Sequence, residues 1–284
     1  MTDRIGLGIA LGALAYSLFS FHDAAKKYLV GFLPVWQVLF FRSLTIVLGC
    51  LVVGRGELLA RVLATPLKRA LAARGALTLS AWLCYYSAAK TLPLAQLLTL
   101  YFAGPIITTL LAIRLLGERV TRGRWVSLGL GFLGVLLASD PFGLRLSLAT
   151  GLVLIAACLW GYAVVLMRQI ARREPSLLQM FVQNLFFLLA TGVLCFASWQ
   201  QPTGLQLLLL LSVGVLGGVG QFALFETARM VPAAVMATVE YISLVWAFLL
   251  GYLVFGDIPA WPVVAGAGLI LLAGVLLVLT ERRG

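Results

Sequence analysis

Glu240 is a carboxylate set well inside an apolar stretch, and Tyr101, Trp82 and Gln221 stand at comparable depth in theirs. At a helical rise of 1.5 Å per residue, about eight residues from the edge puts Glu240 and Tyr101 roughly 12 Å deep, near the middle of a ~30 Å hydrocarbon core. A carboxylate at that depth must face a cavity or a partner. It can meet a substrate ammonium, carry a proton or tie helices together, and the sequence leaves all three open. Trp82, Tyr85, Tyr86 and Ala89 follow the i, i+3, i+4, i+7 spacing, which makes one helix face aromatic. Such a face offers stacking to a flat ligand; helix packing or an interfacial belt are its competing uses. Trp160, with Ala156 and Ala157 one turn away, carries the same two readings, and Ser17 adds a hydroxyl for the polar end of a ligand.

Arg42 lies inside the second apolar stretch and needs an anion or carbonyls nearby. An Asp23–Arg42 ion pair is therefore expected, as a structural tie or a gate, with His22 beside it as a satisfied polar residue. Pro93, Pro105 and Pro232 are candidate hinge points. Cys50, Cys84, Cys158 and Cys195 all sit in apolar runs, none in a ligand spacing with the single histidine, so no disulfide, metal or cofactor is expected. Gly129, Gly131 and Gly134 spell GxGxxG, but inside an apolar stretch with no strand before it, where close helix packing is the expected use. Gly214, Gly217 and Gly218 share a face with Gln221 and suggest close packing too.

The elements that position these residues follow from composition. Of 284 residues, 62% are hydrophobic and only 11% charged, and the mean hydropathy is +1.06. Soluble domains carry about 25% charged residues. The composition excludes a soluble enzyme, a disordered chain and a nucleic-acid-binding domain, and leaves an all-α integral membrane protein. Apolar stretches fall at 5–28, 35–53, 70–89, 94–116, 124–139, 148–168, 177–198, 205–228, 233–254 and 260–279, which predicts ten transmembrane helices. The run from Ile5 to Phe21 is too long for a cleaved leader and is expected to remain as the first span. With the N-terminus inside, sixteen Lys and Arg residues fall on the inner side against four outside, so both termini are expected in the cytoplasm. The net charge of +11 is then topological, and no nucleic-acid partner is implied. The segment Gly54 to Gly75 is expected either as a solvated loop or as a short interfacial helix.

The chain also repeats itself. At an offset of 139, YYSAAKTLPLA (Tyr85–Ala95) aligns with LFETARMVPAA (Leu224–Ala234), matching Ala89 to Ala228, Lys90 to Arg229, Pro93 to Pro232 and Ala95 to Ala234. The same offset brings Gly117-Glu118 onto Gly256-Asp257, Tyr101 onto Glu240 and Trp82 onto Gln221, and an offset of 141 brings Arg42 onto Gln183. Five spans per half, an odd number, make the halves inverted: 1–145 and 146–284. Two inverted five-helix repeats are a transporter architecture, with the substrate site near the midplane between them.

These motifs resemble the drug/metabolite transporter superfamily, EamA type. The first half carries Arg42, Pro105, Gly117-Glu118-Arg119, Thr121, Trp125 and Gly134-Val135. The second carries Leu159-Trp160-Gly161, Glu240-Tyr241, Leu244, Trp246-Ala247, Gly251-Tyr252 and Phe255-Gly256-Asp257. The halves have diverged, with Asp257 opposite Glu118 and Leu244 opposite Pro105. Within the superfamily the chain is similar to amino-acid exporters of the YddG kind, which favour aromatic amino acids. The resemblance implies a secondary transporter in a bacterial inner membrane, monomeric or a weak homodimer, and adds Tyr241 to the expected substrate-binding set.

The expectation is export of small metabolites, amino acids above all, by alternating access. Trp82, Tyr85, Tyr86, Trp160 and Tyr241 would hold the side chain, and Gln221, Glu240, Tyr101 and Ser17 the polar ends. No GxxxxGK[ST] motif is present, so a gradient must supply the energy. An antiporter for sugar phosphates or nucleotide sugars would need several central cations, where only Arg42 reads as deep. An intramembrane enzyme would need a catalytic cluster that the scattered acids, cysteines and single histidine do not form. A purely structural membrane protein would have no use for central Glu, Gln and Trp residues.

Overall fold

In a computed structural model of the chain, residues 2–55, 57–116, 122–138, 147–171, 173–230, 239–240 and 242–281 are described. Among them every regular element is a helix: α1 (Thr2–Val30), α2 (Val35–Gly54), α3 (Glu57–Ala64), α4 (Lys68–Ala89), α5 (Leu94–Tyr101), α6 (Ala103–Leu116), α7 (Arg122–Ala138), α8 (Leu148–Ala171), α9 (Ser176–Ala197), α10 (Gly204–Met230), α11 (Ile242–Phe255) and α12 (Trp261–Glu281). Helices satisfy their own backbone groups, as a medium without water demands. By length and composition, six stretches among the described residues are long and apolar enough to cross a membrane: Gly6–Val30, Val35–Gly54, Leu94–Leu115, Leu148–Met167, Ser176–Ala197 and Gly204–Thr227. Trp125–Ala138, Ile242–Phe255 and Trp261–Leu276 are shorter apolar helices. α4 has 22 residues but opens on Lys68, Arg69 and Arg74.

Three helices start directly behind a proline in extended backbone: α2 behind Pro34 (ψ 141°), α5 behind Pro93 (ψ 146°) and α9 behind Pro175 (ψ 153°). Pro93 thus opens a helix, where its missing N–H is of no consequence, and does not bend one. The interruption of the fourth apolar stretch lies at Phe102, between α5 and α6. Pro105, three residues on, has no N–H to donate to the carbonyl of Tyr101, which weakens the ladder at that turn. Pro232 lies outside the described residues. The segment after α2 folds as the short helix α3, and α4 begins at Lys68. Arg74, read from sequence as a loop cation, is therefore two turns inside a helix and buried.

The packing partners come in couples. α1 lies against α10 and α4 against α8; α1 meets α11 and α6 meets α8; α2 touches α10 and α4 touches α9; α2 packs on α9 and α7 on α12. The last pair approaches closely enough to bring backbone against backbone. A Cβ built on Gly134 would sit 2.6 Å from the carbonyl oxygen of Gly266, and one on Gly266 would collide with the carbonyl oxygen of Gly134. Backbone meets backbone here, the small-residue contact that membrane helices use. Gly134 is the packing glycine of the GxGxxG run; Gly129 meets nothing within 4 Å and Gly131 touches only Ile106. Gly266→Ala should separate the two helices and lower stability by about 1–3 kcal/mol, the scale of overpacking. A thermal-denaturation series on purified protein checks this, with Gly129→Ala as the unaffected control.

Candidate functional site

Arg42 on α2 is fully buried and is the centre of a polar network. Its Nε–H donates to His22 Nε2 at 3.1 Å, Nη1 donates to Asn184 Oδ1 at 3.0 Å, and Nη2 reaches Gln221 Oε1 at 3.5 Å. Asn184 Nδ2 donates both to the carbonyl of Met180 (2.8 Å) and to Gln221 Oε1 (3.3 Å). Four helices, α1, α2, α9 and α10, are thereby joined through one guanidinium. Because Nε can only donate, His22 Nε2 must be the lone-pair nitrogen, and the ring proton belongs on Nδ1, 3.4 Å from Asp23 Oδ1. Gly217 makes room for the contact: a Cβ there would stand 2.9 Å from Arg42 Nε and 3.0 Å from His22 Nε2.

The expected direct pair of Asp23 with Arg42 does not form: His22 bonds Arg42 through Nε2, and its buried Nδ1 has no hydrogen-bond partner among the described residues. Asp23 Oδ1 is held by Lys26 Nζ at 2.6 Å, a turn further along α1, and His22 stands between Asp23 and Arg42. The i, i+3 spacing lets Lys26 reach the carboxylate without crossing helices, whereas Arg42 is turned toward neutral acceptors. Two cations and one carboxylate are thus close together. Lys26, like Arg42, is buried, so more than one cation is deep in this chain.

The aromatic face of α4 closes around these charges. Arg42 Cζ lies 4.1 Å from the Trp82 ring centroid, and Lys26 Nζ lies 4.1 Å from that of Tyr86, both within cation–π range. Trp82 stacks near Tyr86 (6.0 Å), Tyr85 meets Tyr86 (6.2 Å), and Tyr85 meets Tyr101 of α5 edge-on (5.1 Å). Among the described residues the buried Tyr85 and Tyr86 hydroxyls have no hydrogen-bond partners; that of Tyr85 lies near Asp23 without reaching bonding geometry.

A second polar group adjoins Tyr101. The Tyr16 hydroxyl lies near the Glu240 carboxylate, and Tyr101 lies in the field of Glu240 and Asp23. Trp246 Nε1 donates to Ser17 Oγ at 3.0 Å, and Phe21 packs on Trp246 at 4.8 Å. Ser17, Trp82, Tyr101, Glu240 and Trp246 are half-buried, in contrast to the sealed Arg42 network. The structure therefore brings Trp82, Tyr85, Tyr86, Tyr101, Asp23, His22, Arg42 and Gln221 into one connected cluster, with Ser17 and Glu240 alongside. It does not bring Trp160 there: its indole lies 3.7 Å from the Cβ position of Gly104, and among the described residues no hydrogen bond or ring contact joins it to the cluster. Tyr241 lies outside the described residues. Asn184, Lys26, Tyr16 and Trp246 are site residues that spacing did not single out. An isolated Asn in the apolar α9 was the available signal for the first.

Ties at both ends of the bundle frame this centre. At one end α11 stops at Gly256 (φ 65°), with Gly256 N–H donating to the carbonyl of Tyr252 and Asp257 N–H to that of Gly251, both at 3.0 Å. Only glycine takes that conformation without strain, and it turns Asp257 toward Lys27 (2.6 Å) and the Leu94 N–H that opens α5 (3.4 Å). At the other end Arg74 Nη1 donates to Gln179 Oε1 at 3.0 Å, and the Thr65 hydroxyl donates to Glu174.

Among the described residues, a bundle of apolar helices around an aromatic and charged centre, tied at both ends, defines an integral membrane protein. The chain belongs to the EamA-like transporter family of the drug/metabolite transporter superfamily: the family model matches residues 6–140 and again residues 147–280. The chain is 30% identical over 209 residues to a riboflavin transporter of Rhizobium johnstonii, covering 73% of this chain and 68% of that one. It is 29% identical to the pseudopaline exporter CntI of Pseudomonas aeruginosa over 99% of both chains. It is 25% identical to an S-adenosylmethionine uptake transporter of Rickettsia prowazekii, over 97% of this chain and 94% of that one. One crystal structure superposes with a TM-score of 0.71 over 97% of this chain and 98% of its own, at 19% identity, which shows a shared fold.

Proposed function

We propose that this chain is a ten-span secondary transporter that exports amino acids, aromatic or other large neutral ones, from the bacterial cytoplasm across the inner membrane. Its halves, 1–145 and 146–284, are inverted repeats, and both termini lie in the cytoplasm. The coupled helix pairings support this: exchanging each span of one half for its counterpart in the other turns α1–α10 into α8–α4, α1–α11 into α8–α6, and α2–α10 into α9–α4. The repeated family match supports it too.

The observation that carries the substrate reading is the meeting of an aromatic wall with two buried cations and two half-buried carboxylates. Trp82, Tyr85, Tyr86 and Tyr101 provide stacking surface, Lys26 and Arg42 positive charge, and Asp23 and Glu240 negative charge. A zwitterion with a flat side chain needs all three. Alternating access would flex the chain at the Tyr101–Ala103 interruption and exchange the ties at the two ends of the bundle. The relatives include an exporter and an uptake transporter, so the outward direction is part of this proposal. The transporter works as a monomer or a weak homodimer.

Trp82→Ala tests the pocket. Loss of one aromatic contact surface should weaken handling of phenylalanine or tryptophan by about 1.5–3 kcal/mol, roughly ten- to a hundredfold, with little change for a small neutral amino acid. Uptake into inverted vesicles measures it. Equal loss for large and small substrates would sink the aromatic assignment. Buried Lys26 beside Arg42 favours one second reading, an antiporter of sugar phosphates or nucleotide sugars, which the same vesicles would reveal by accumulating those anions.

A further inference from the structure

The Lys26 ammonium occupies surroundings that fit a free organic ammonium ion. Its Nζ lies 4.1, 5.4 and 5.6 Å from the ring centroids of Tyr86, Tyr85 and Trp82, and 2.6 Å from Asp23 Oδ1. Three ring faces and one carboxylate around a cation form the arrangement that holds alkylammonium ligands. Lys26 reaches it from the same helix as Asp23, one turn along. Burying a strongly hydrated ammonium and immobilising a long flexible stem are both unfavourable, and a lysine here adds no tie between helices through its ion pair. The unpartnered hydroxyls of Tyr85 and Tyr86, both more than nine-tenths buried, leave further polar capacity facing these charges.

We propose that Trp82, Tyr85, Tyr86 and Asp23 form a binding site for primary or quaternary ammonium groups, and that Lys26 is its tethered occupant, displaced when a ligand amine arrives. Exchange of one ammonium for another keeps Asp23 paired and leaves the charge of the cage unchanged. The site is closed to water by a residue that mimics its ligand, and only ligands able to compete with a built-in lysine open it. The proposal concerns recognition of the ammonium and holds for any amine cargo. Failure of amino-acid transport would leave it standing, and its own failure would leave amino-acid transport standing.

The probe is tetramethylammonium chloride, titrated calorimetrically into the purified full-length protein. Lys26→Met should bind it at least about tenfold more tightly than the wild type does, the range of desolvated cation–π recognition, and adding Asp23→Asn should remove that gain. A Lys26→Met protein that is monodisperse and fully helical yet binds no better than wild type overturns the proposal. The wild type gives an independent reading should the variant not fold. Acetic anhydride labelling of Lys26, compared with Lys27, Lys68 and Lys90, should rise severalfold under saturating tetramethylammonium and not under sodium chloride of equal strength. Labelling of Lys26 that stays unchanged by the probe overturns it equally.

Discussion

Arg42→Ala is expected to abolish transport and to destabilise the bundle by about 3–5 kcal/mol, the scale of breaking a buried charged network. The guanidinium supplies the donors for His22 Nε2, Asn184 Oδ1 and Gln221 Oε1. Its removal strands His22 Nε2 and Asn184 Oδ1, each worth about 1–3 kcal/mol when left unmet, and leaves Gln221 Oε1 with the Asn184 amide alone. Arg42→Lys keeps the charge but not the planar fork, so one ammonium cannot reach all three acceptors. It should recover part of the stability and little of the transport. Unfolding of purified protein by denaturant, with transport measured on the same preparations, checks both effects. An Arg42→Ala protein as stable as wild type would show that α1, α9 and α10 do not depend on this junction.

Glu240→Gln should weaken substrate binding by about 1.5–3 kcal/mol if the carboxylate meets a substrate ammonium, as charge-assisted hydrogen bonds do. Tyr16 and Tyr101 stand near it, and no ion pair to Glu240 occurs among the described residues. The substitution preserves size and hydrogen bonding while removing charge. Should the group carry the coupling proton instead, binding survives and the pH dependence of transport flattens. If it only ties α1 to the stretch before α11, thermal stability moves and transport does not. Binding and transport measured across pH on this variant distinguish the three, and an unaltered, pH-responsive transporter removes Glu240 from the site.

The burial of Arg42 and the half-burial of Glu240 agree with their places inside apolar stretches, because hydropathy measures distance from water. The aromatic face of α4 was legible because Trp82, Tyr85 and Tyr86 share one helix and its period. What spacing could not convey is which helix stands opposite. Arg42 finds Asn184 because α2 lies against α9, and finds Gln221 because it also lies against α10. No local pattern encodes that placement. Asp23 turned to Lys26 for the same reason: the choice between an intrahelical and an interhelical cation depends on rotamers set by packing. Trp160 looked central because it stands in the middle of its apolar stretch, yet place along a helix does not say which way a side chain faces around it. Arg74 was misplaced because basic residues end an apolar stretch on a hydropathy scale, although a helix can bury them against Gln179 and Phe225.

The most direct test of amino-acid transport is counterflow in proteoliposomes containing only this protein. Vesicles loaded with unlabelled tryptophan or phenylalanine should draw in trace radiolabelled amino acid above its outside concentration. Protein-free vesicles and vesicles bearing Trp82→Ala should not. Absence of counterflow for every amino acid, with counterflow of a sugar phosphate or a nucleotide sugar in the same vesicles, would contradict the account.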